Sequence, residues 1–143
     1  MFKKALAITI PEIANIPNSF ATFHVTLKKQ GECKLHICAH SFYQVYVNKK
    51  FVAFGPARTA KKYARMDVIS LPCIENENEI TIALTGYNCR CLSTVLQPMF
   101  LQAEILANGN VIAYTGKDFS AYIPLCKEQK TERYSWQRHY TEI

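Results

Sequence analysis

Histidine and cysteine side chains offer the first candidates for chemistry in this chain. His36, Cys38 and His40 alternate, so on a strand all three would project from one face, and imidazole and thiolate are donors that zinc accepts. The spacing works against convergence. Successive same-face residues on a strand are roughly 6.6 Å apart, so the outer pair would be about twice that and a site would need a further ligand from elsewhere. Cys89-Arg90-Cys91 lacks the two-residue spacer of common zinc and redox motifs. A cysteine nucleophile would need a base such as His24 or His139 beside it, which no local spacing supplies, and Ser93-Thr94 has no nucleophile-elbow motif. These residues predict no metal, no cofactor and no catalytic group.

The carboxylates read the same way. Glu75, Glu77 and Glu79 cluster in a stretch of low apolarity, Glu75-Asn76-Glu77-Asn78, where a solvated loop is the simpler reading, and Asp118 follows a turn. Lysines pair at Lys3-Lys4, Lys28-Lys29, Lys49-Lys50 and Lys61-Lys62, and the net charge is +6, with Phe51 and Tyr63 nearby. Clustered on one face, such pairs would suit a nucleic acid. Spread over strand ends and turns they read as solvated surface, so no nucleic-acid partner is expected. Six cysteines could be a disulfide framework in a small secreted chain. Here Lys3-Lys4 precedes an apolar run, Ala5 to Ile10, that breaks at Pro11-Glu12, so no signal peptide and no membrane anchor is read. Cys33, Cys38, Cys73 and Cys126 sit in apolar, strand-like surroundings. Buried reduced thiols in a cytoplasmic protein are therefore expected.

The elements that position these residues are short strands. Tyr43, Val45 and Val47 alternate with Gln44, Tyr46 and Asn48, a second strand follows at once, and Gly55-Pro56 ends it. Asn48 suits a tight two-residue turn, but Lys49 stands where glycine is easier, which predicts a looser one. Phe23, Val25 and Leu27 share a face of Ala21 to Leu27, strands follow at Lys34 to Ala39 and Asp67 to Leu71, and Ile80, Ile82 and Leu84 mark Glu79 to Thr85 as a central strand. Asn108-Gly109 between Phe100 to Leu106 and Val111 to Thr115 is the strongest short hairpin signal. Phe119 to Pro124 reads as another short strand. At 143 residues and 49% hydrophobic, the chain supports one core, and many short strands without a helical period indicate an all-β, antiparallel sandwich or jelly roll.

The hairpin Tyr43 to Arg58, followed by Tyr63-Ala64-Arg65-Met66-Asp67-Val68, carries a resemblance. It is similar to the Y-x-x-Y-V-N-G-x-x-V-x-x-G-P hairpin and Y-x-x-x-D-V segment of the N-terminal β-sandwich of bacterial α-L-rhamnosidases, glycoside hydrolase family 78. Glu77 to Leu84 with Gly86-Tyr87-Asn88, Gln97-Pro98 with Phe100 to Ile105, and the tail from Arg133 through Glu142 fit the same pattern. The resemblance implies a galactose-binding-domain-like sandwich and a structural use for Asp67. It also implies that the catalytic carboxylates belong to a helical domain outside this chain.

Three segments follow: a lead-in at 1–19, the sandwich at 20–126 and an exit toward a following domain at 127–143. This chain is expected to be a non-catalytic accessory domain, with the parent's catalytic domain and rhamnose-containing glycans as partners. A free-standing carbohydrate-binding module is the alternative. Contact residues for a neighbouring domain or a sugar are Tyr87 and Asn88 after the central strand, Arg58 and Tyr63 in another loop, and Trp136, the lone tryptophan.

Overall fold

The structure is a computed structural model. It describes residues 1–143 apart from 15, 17–18, 29–30, 58, 61–62, 74, 87–96, 126, 129–140 and 143, with the backbone alone at 127–128 and 141–142. Strands run β1 Ser19–Lys28, β2 Cys33–His40, β3 Phe42–Val47, β4 Lys50–Gly55, β5 Asp67–Leu71, β6 Glu77–Gly86, β7 Phe100–Ala107, β8 Asn110–Tyr114 and β9 Ser120–Tyr122. The short β10, Lys127–Glu128, pairs with β11, Thr141–Glu142. One sheet has the order β4-β3-β6-β1-β9 and the other β5-β2-β7-β8, and every pairing is antiparallel.

The alternation explains the sandwich. Phe23, Val25, Val45, Val47, Ile80, Ile82 and Leu84 from the first sheet meet Leu35, Ile37, Leu101, Ala103 and Ile105 from the second in one core. β6 lies at the centre of its sheet, as its apolar face requires, paired to β1 over its full length from Ser19↔Gly86 to Lys28↔Glu77. The β7–β8 hairpin turns at Asn108-Gly109 with φ of 50° and 80°, the left-handed pair that a two-residue turn needs.

The β3–β4 turn corrects the expectation of a loose connection. It is a tight two-residue turn, with Asn48 at φ 50° and Lys49 at φ 64°. The cause lies in the Asn48 side chain: its Oδ1 accepts the Glu79 N–H at 2.8 Å and its Nδ2 donates to Asn78 Oδ1 at 3.2 Å, while the Asn48 N–H donates to the Glu79 carbonyl at 2.8 Å. Asn78 is fully buried and exchanges two further bonds with the Glu75 main chain. The turn is thereby clamped to β6, and Lys49 is held where glycine would sit without strain. The irregularity is displaced into β4, where Val45 pairs with Ala53 and Tyr46 with Phe51, leaving Val52 as a bulge.

Candidate functional site

One face of the β3–β4 hairpin is committed to the core through Tyr43, Val45 and Val47, which leaves Phe42, Gln44 and Tyr46 on the other. Opposite them in register, Phe54 faces Gln44 and Phe51 faces Tyr46. The rings pair. Phe42 and Phe54 stack with centroids 5.8 Å apart and planes 13° from parallel, and Phe51 meets Tyr46 edge-on at 5.8 Å and 72°. The Tyr46 hydroxyl donates to Gln44 Oε1 at 2.8 Å. On the neighbouring β6 the same face carries Thr85, Ala83 and Thr81 opposite Phe42, Gln44 and Tyr46. The four rings therefore stand along one rim, with an exposed amide among them and small side chains beside it. Phe51 is 59% exposed and Phe54 48%, on a strand at the edge of its sheet. Large apolar groups in that position favour contact with another surface or ligand.

A polar hollow lies at the tip of the same hairpin. It is open, about 720 Å³ in volume, and lined by His24, Thr26, Asn48, Lys49, Glu75, Glu77 and Glu79. His24 Nε2 lies 3.3 Å from Glu79 Oε1, with both side chains partly exposed, so the pair adds little to stability. Glu77 is less loop-like than the sequence suggests, because it already belongs to β6 together with Glu79. Among the described residues no three His, Cys, Asp or Glu side chains gather closely enough to hold a metal. His36, Cys38 and His40 alternate along β2, with His36 beside Glu104 and His40 Nε2 3.0 Å from Ser41 Oγ.

On the core side, the hairpin is tied across the sandwich. The Tyr43 hydroxyl donates to Asp67 Oδ2 at 2.6 Å, and Arg65 Nε donates to Asp67 Oδ1 at 2.6 Å. Burial, followed by the bond and charge of Asp67, pushes the Tyr43 phenol well above its ordinary range. A side chain at Gly55 would collide with the Tyr43 ring, which accounts for the glycine closing β4. The tyrosine, glycine and aspartate of the resemblance are thus one structural unit, and Asp67 has the structural use expected of it.

Of the expected contact residues, Tyr63 is described: it is 76% exposed, in the connection from β4 to β5, where its N–H donates to the Ala60 carbonyl and its own carbonyl accepts the Thr59 hydroxyl. Arg58, Tyr87, Asn88 and Trp136 lie outside the described residues. The rim of Phe42, Tyr46, Phe51 and Phe54 was not singled out from sequence. Part of its signal is present, since Phe42 and Tyr46 fall at off-core positions of an alternating strand, but Phe51 and Phe54 are three apart and share that face only through the bulge at Val52.

Comparison with known proteins places this fold. No protein-family model matches the sequence, and no curated protein matches it. Solved structures do. A family 78 rhamnosidase of Bacillus sp. GL1 matches 89% of this chain with a TM-score of 0.77 and 22% identity, over 14% of its own chain. The fold is that of a domain-sized part of α-L-rhamnosidases. The rhamnosidase-like sandwich also matches the Aspergillus terreus α-L-rhamnosidase at a TM-score of 0.61 and 13% identity, covering 85% of this chain and 17% of that one. It matches the Streptomyces avermitilis α-L-rhamnosidase, solved with L-rhamnose, at 0.56 and 16% identity, covering 84% of this chain and 12% of that one. The chain therefore spans a small fraction of the enzymes whose fold it shares.

Proposed function

We propose that this chain is a non-catalytic accessory domain of an α-L-rhamnosidase-like glycoside hydrolase, supporting a catalytic domain beside it. One observation carries this reading: 89% of the chain matches a rhamnosidase over 14% of that enzyme's length, leaving most of the enzyme outside the match. Glycoside hydrolysis calls for two carboxyl groups roughly 5 to 10 Å apart with one shielded enough to stay protonated. Glu75 and Glu77 are exposed and Glu79 half-buried around an open hollow, which suits solvated carboxylates better. The aromatic rim on β3–β4 is the surface we assign to the neighbouring domain, with 1–19 as lead-in, 20–126 as the sandwich and 127–143 as the exit toward that domain. No helix among the described residues is long and apolar enough to cross a membrane. The buried thiols of Cys33, Cys38 and Cys73 support a reducing, cytoplasmic setting.

A second reading, contact with a rhamnose-containing glycan, is favoured by the flat Phe42–Phe54 pair with Gln44 beside it. A ring can pack on the apolar face of a pyranose while an amide engages its hydroxyls. Two assays separate the readings. The purified chain is expected to release no phenol from an aryl α-L-rhamnoside, and turnover that disappears in a Glu75→Gln, Glu77→Gln or Glu79→Gln variant would overturn both. In calorimetry with L-rhamnose, saturable heat that Phe54→Ala abolishes establishes glycan contact, whereas its absence leaves domain support as the function.

A further inference from the structure

Glu104 is a fully buried carboxylate on the outer face of the four-stranded sheet. Leu101, Ala103 and Ile105 of β7 point into the core, so Glu104 points away from it, between its cross-strand neighbours His36 of β2 and Tyr114 of β8. Its hydrogen bonds come from a segment about a hundred residues earlier. The Lys3 N–H donates to Oε1 at 3.1 Å and to Oε2 at 3.0 Å, and the Lys4 and Ala5 N–H groups donate to Oε2 at 3.0 and 3.3 Å. Burial alone would raise the carboxyl pKa. The three main-chain donors, helped by the neighbouring His36, outweigh it and hold the group below the usual carboxylate range.

The rest of this segment is also fixed by polar contacts. The Leu6 N–H donates to the Thr115 carbonyl at 3.0 Å, the Thr115 hydroxyl donates to the Leu6 carbonyl at 2.6 Å, and Gln102 Nε2 donates to the Ala5 carbonyl at 2.8 Å. Ile8 exchanges two 2.8 Å main-chain bonds with Leu101 and packs on the core. Before Ile8 there is little apolar anchoring. Ala5 is buried, but no residue from 1 to 7 belongs to the core cluster, and Leu6 is 61% exposed.

We infer that residues 3–8 are a detachable strap, latched over β7 by the Glu104 carboxylate and pivoting at Ile8, and that neutralising this one carboxylate frees the strap while the sandwich stays folded. The latch is electrostatic and the core lies elsewhere, so the two come apart at different thresholds. Release bares Glu104 together with His36, whose buried Nδ1 lies 3.7 Å from Glu104 Oε1 and has no hydrogen-bond partner among the described residues while the strap is closed. The other charged groups around the latch are mostly cationic. Lys3 Nζ donates to the Gly109 carbonyl, Lys4 and Lys117 lie over the Tyr114 ring, and Asp118 accepts the Tyr114 N–H. They favour the ionised latch. With its pKa lowered in the closed state, Glu104 holds the strap fully above the usual carboxylate range and loses it as pH falls through the lowered value.

Amide exchange on the whole chain tests the latch, with Glu104→Gln as the neutral variant and an acid titration of the unmodified chain as the second measurement. The amides of Lys3 to Leu6 are expected to exchange about a hundredfold faster in Glu104→Gln, with those of β1 and β6 unchanged. In the titration the strap resonances reach free-chain positions at a higher pH than the one at which the β1 and β6 resonances collapse. Unchanged strap protection in the variant, or a common midpoint for strap and core in the titration, overturns the proposal.

Discussion

The Tyr43 hydroxyl and the Asp67 carboxylate, joined by a 2.6 Å hydrogen bond, connect β3 of one sheet to the first residue of β5 in the other. Replacing Tyr43 with Phe keeps the ring over Gly55 and removes only this bond, leaving Asp67 to Arg65. A loss of about 1–3 kcal/mol is expected in urea denaturation. The pH dependence has a defined sign. A phenol whose pKa is raised on folding contributes stability that is fully present below the unfolded value, about 10, and is lost as pH rises above it. The unmodified chain should therefore lose stability above about pH 10 more steeply than Tyr43→Phe does. Parallel curves for the two would contradict this.

Gly55 and Gly109 separate two reasons for a glycine. A methyl group at Gly55 runs into the Tyr43 ring, whereas at Gly109 it would meet none of the described residues but φ is +80°. Gly55→Ala should cost about 2–3 kcal/mol through overpacking. Gly109→Ala should cost only about 1 kcal/mol, through the backbone. Equal midpoint shifts in chemical denaturation would mean that the Tyr43 ring moves aside freely.

At the β3–β4 turn the two residues are expected to respond in opposite directions. Lys49→Gly removes left-handed strain of about 1–2 kcal/mol against a smaller entropic loss, so a net gain of about 0.5–1 kcal/mol is predicted. Asn48→Ala strips a donor from the buried Asn78 and an acceptor from the Glu79 N–H, and should cost about 2–3 kcal/mol. Thermal unfolding of both variants decides it, and a destabilised Lys49→Gly would show that the lysine has a favourable contact of its own.

Local periodicity made the strands legible: Ile80, Ile82 and Leu84 mark β6 and its central place, and Asn108-Gly109 marks the second hairpin, because each depends on neighbours in sequence. The burial of Glu104 is not legible in that way. Its outward direction follows from the alternation of β7, whereas its burial depends on residues 3–5, which return from 99 to 101 positions away. Lys49 was misread for a related reason. Turn propensity counts the residue in the turn, while the clamp that holds it is Asn48 bonded to Glu79 and Asn78, about thirty positions on. Of the candidate site, Tyr63 was legible as an exposed loop aromatic. The hairpin rim became visible only once the register paired Phe51 with Tyr46 and set Phe54 opposite Gln44.

The cysteines give a prediction in which burial, and not bonding, sets reactivity. Cys33, Cys38 and Cys73 are free and buried. Burial first, and then the adjacent Cys33 thiol, pushes Cys73 up to about 12, and burial with the Asp67 charge also raises Cys38. Because the thiolate is the reacting form, these two should modify far more slowly than an exposed thiol, whose pKa is about 8.5. In a disulfide-exchange reagent at neutral pH the folded chain should protect Cys38 and Cys73. Denaturant without reductant should then release all six thiols of the sequence. A count below six in denaturant would establish a disulfide and remove the basis for a reducing setting, whereas fast labelling of Cys73 in the folded chain would show that the end of β5 opens readily.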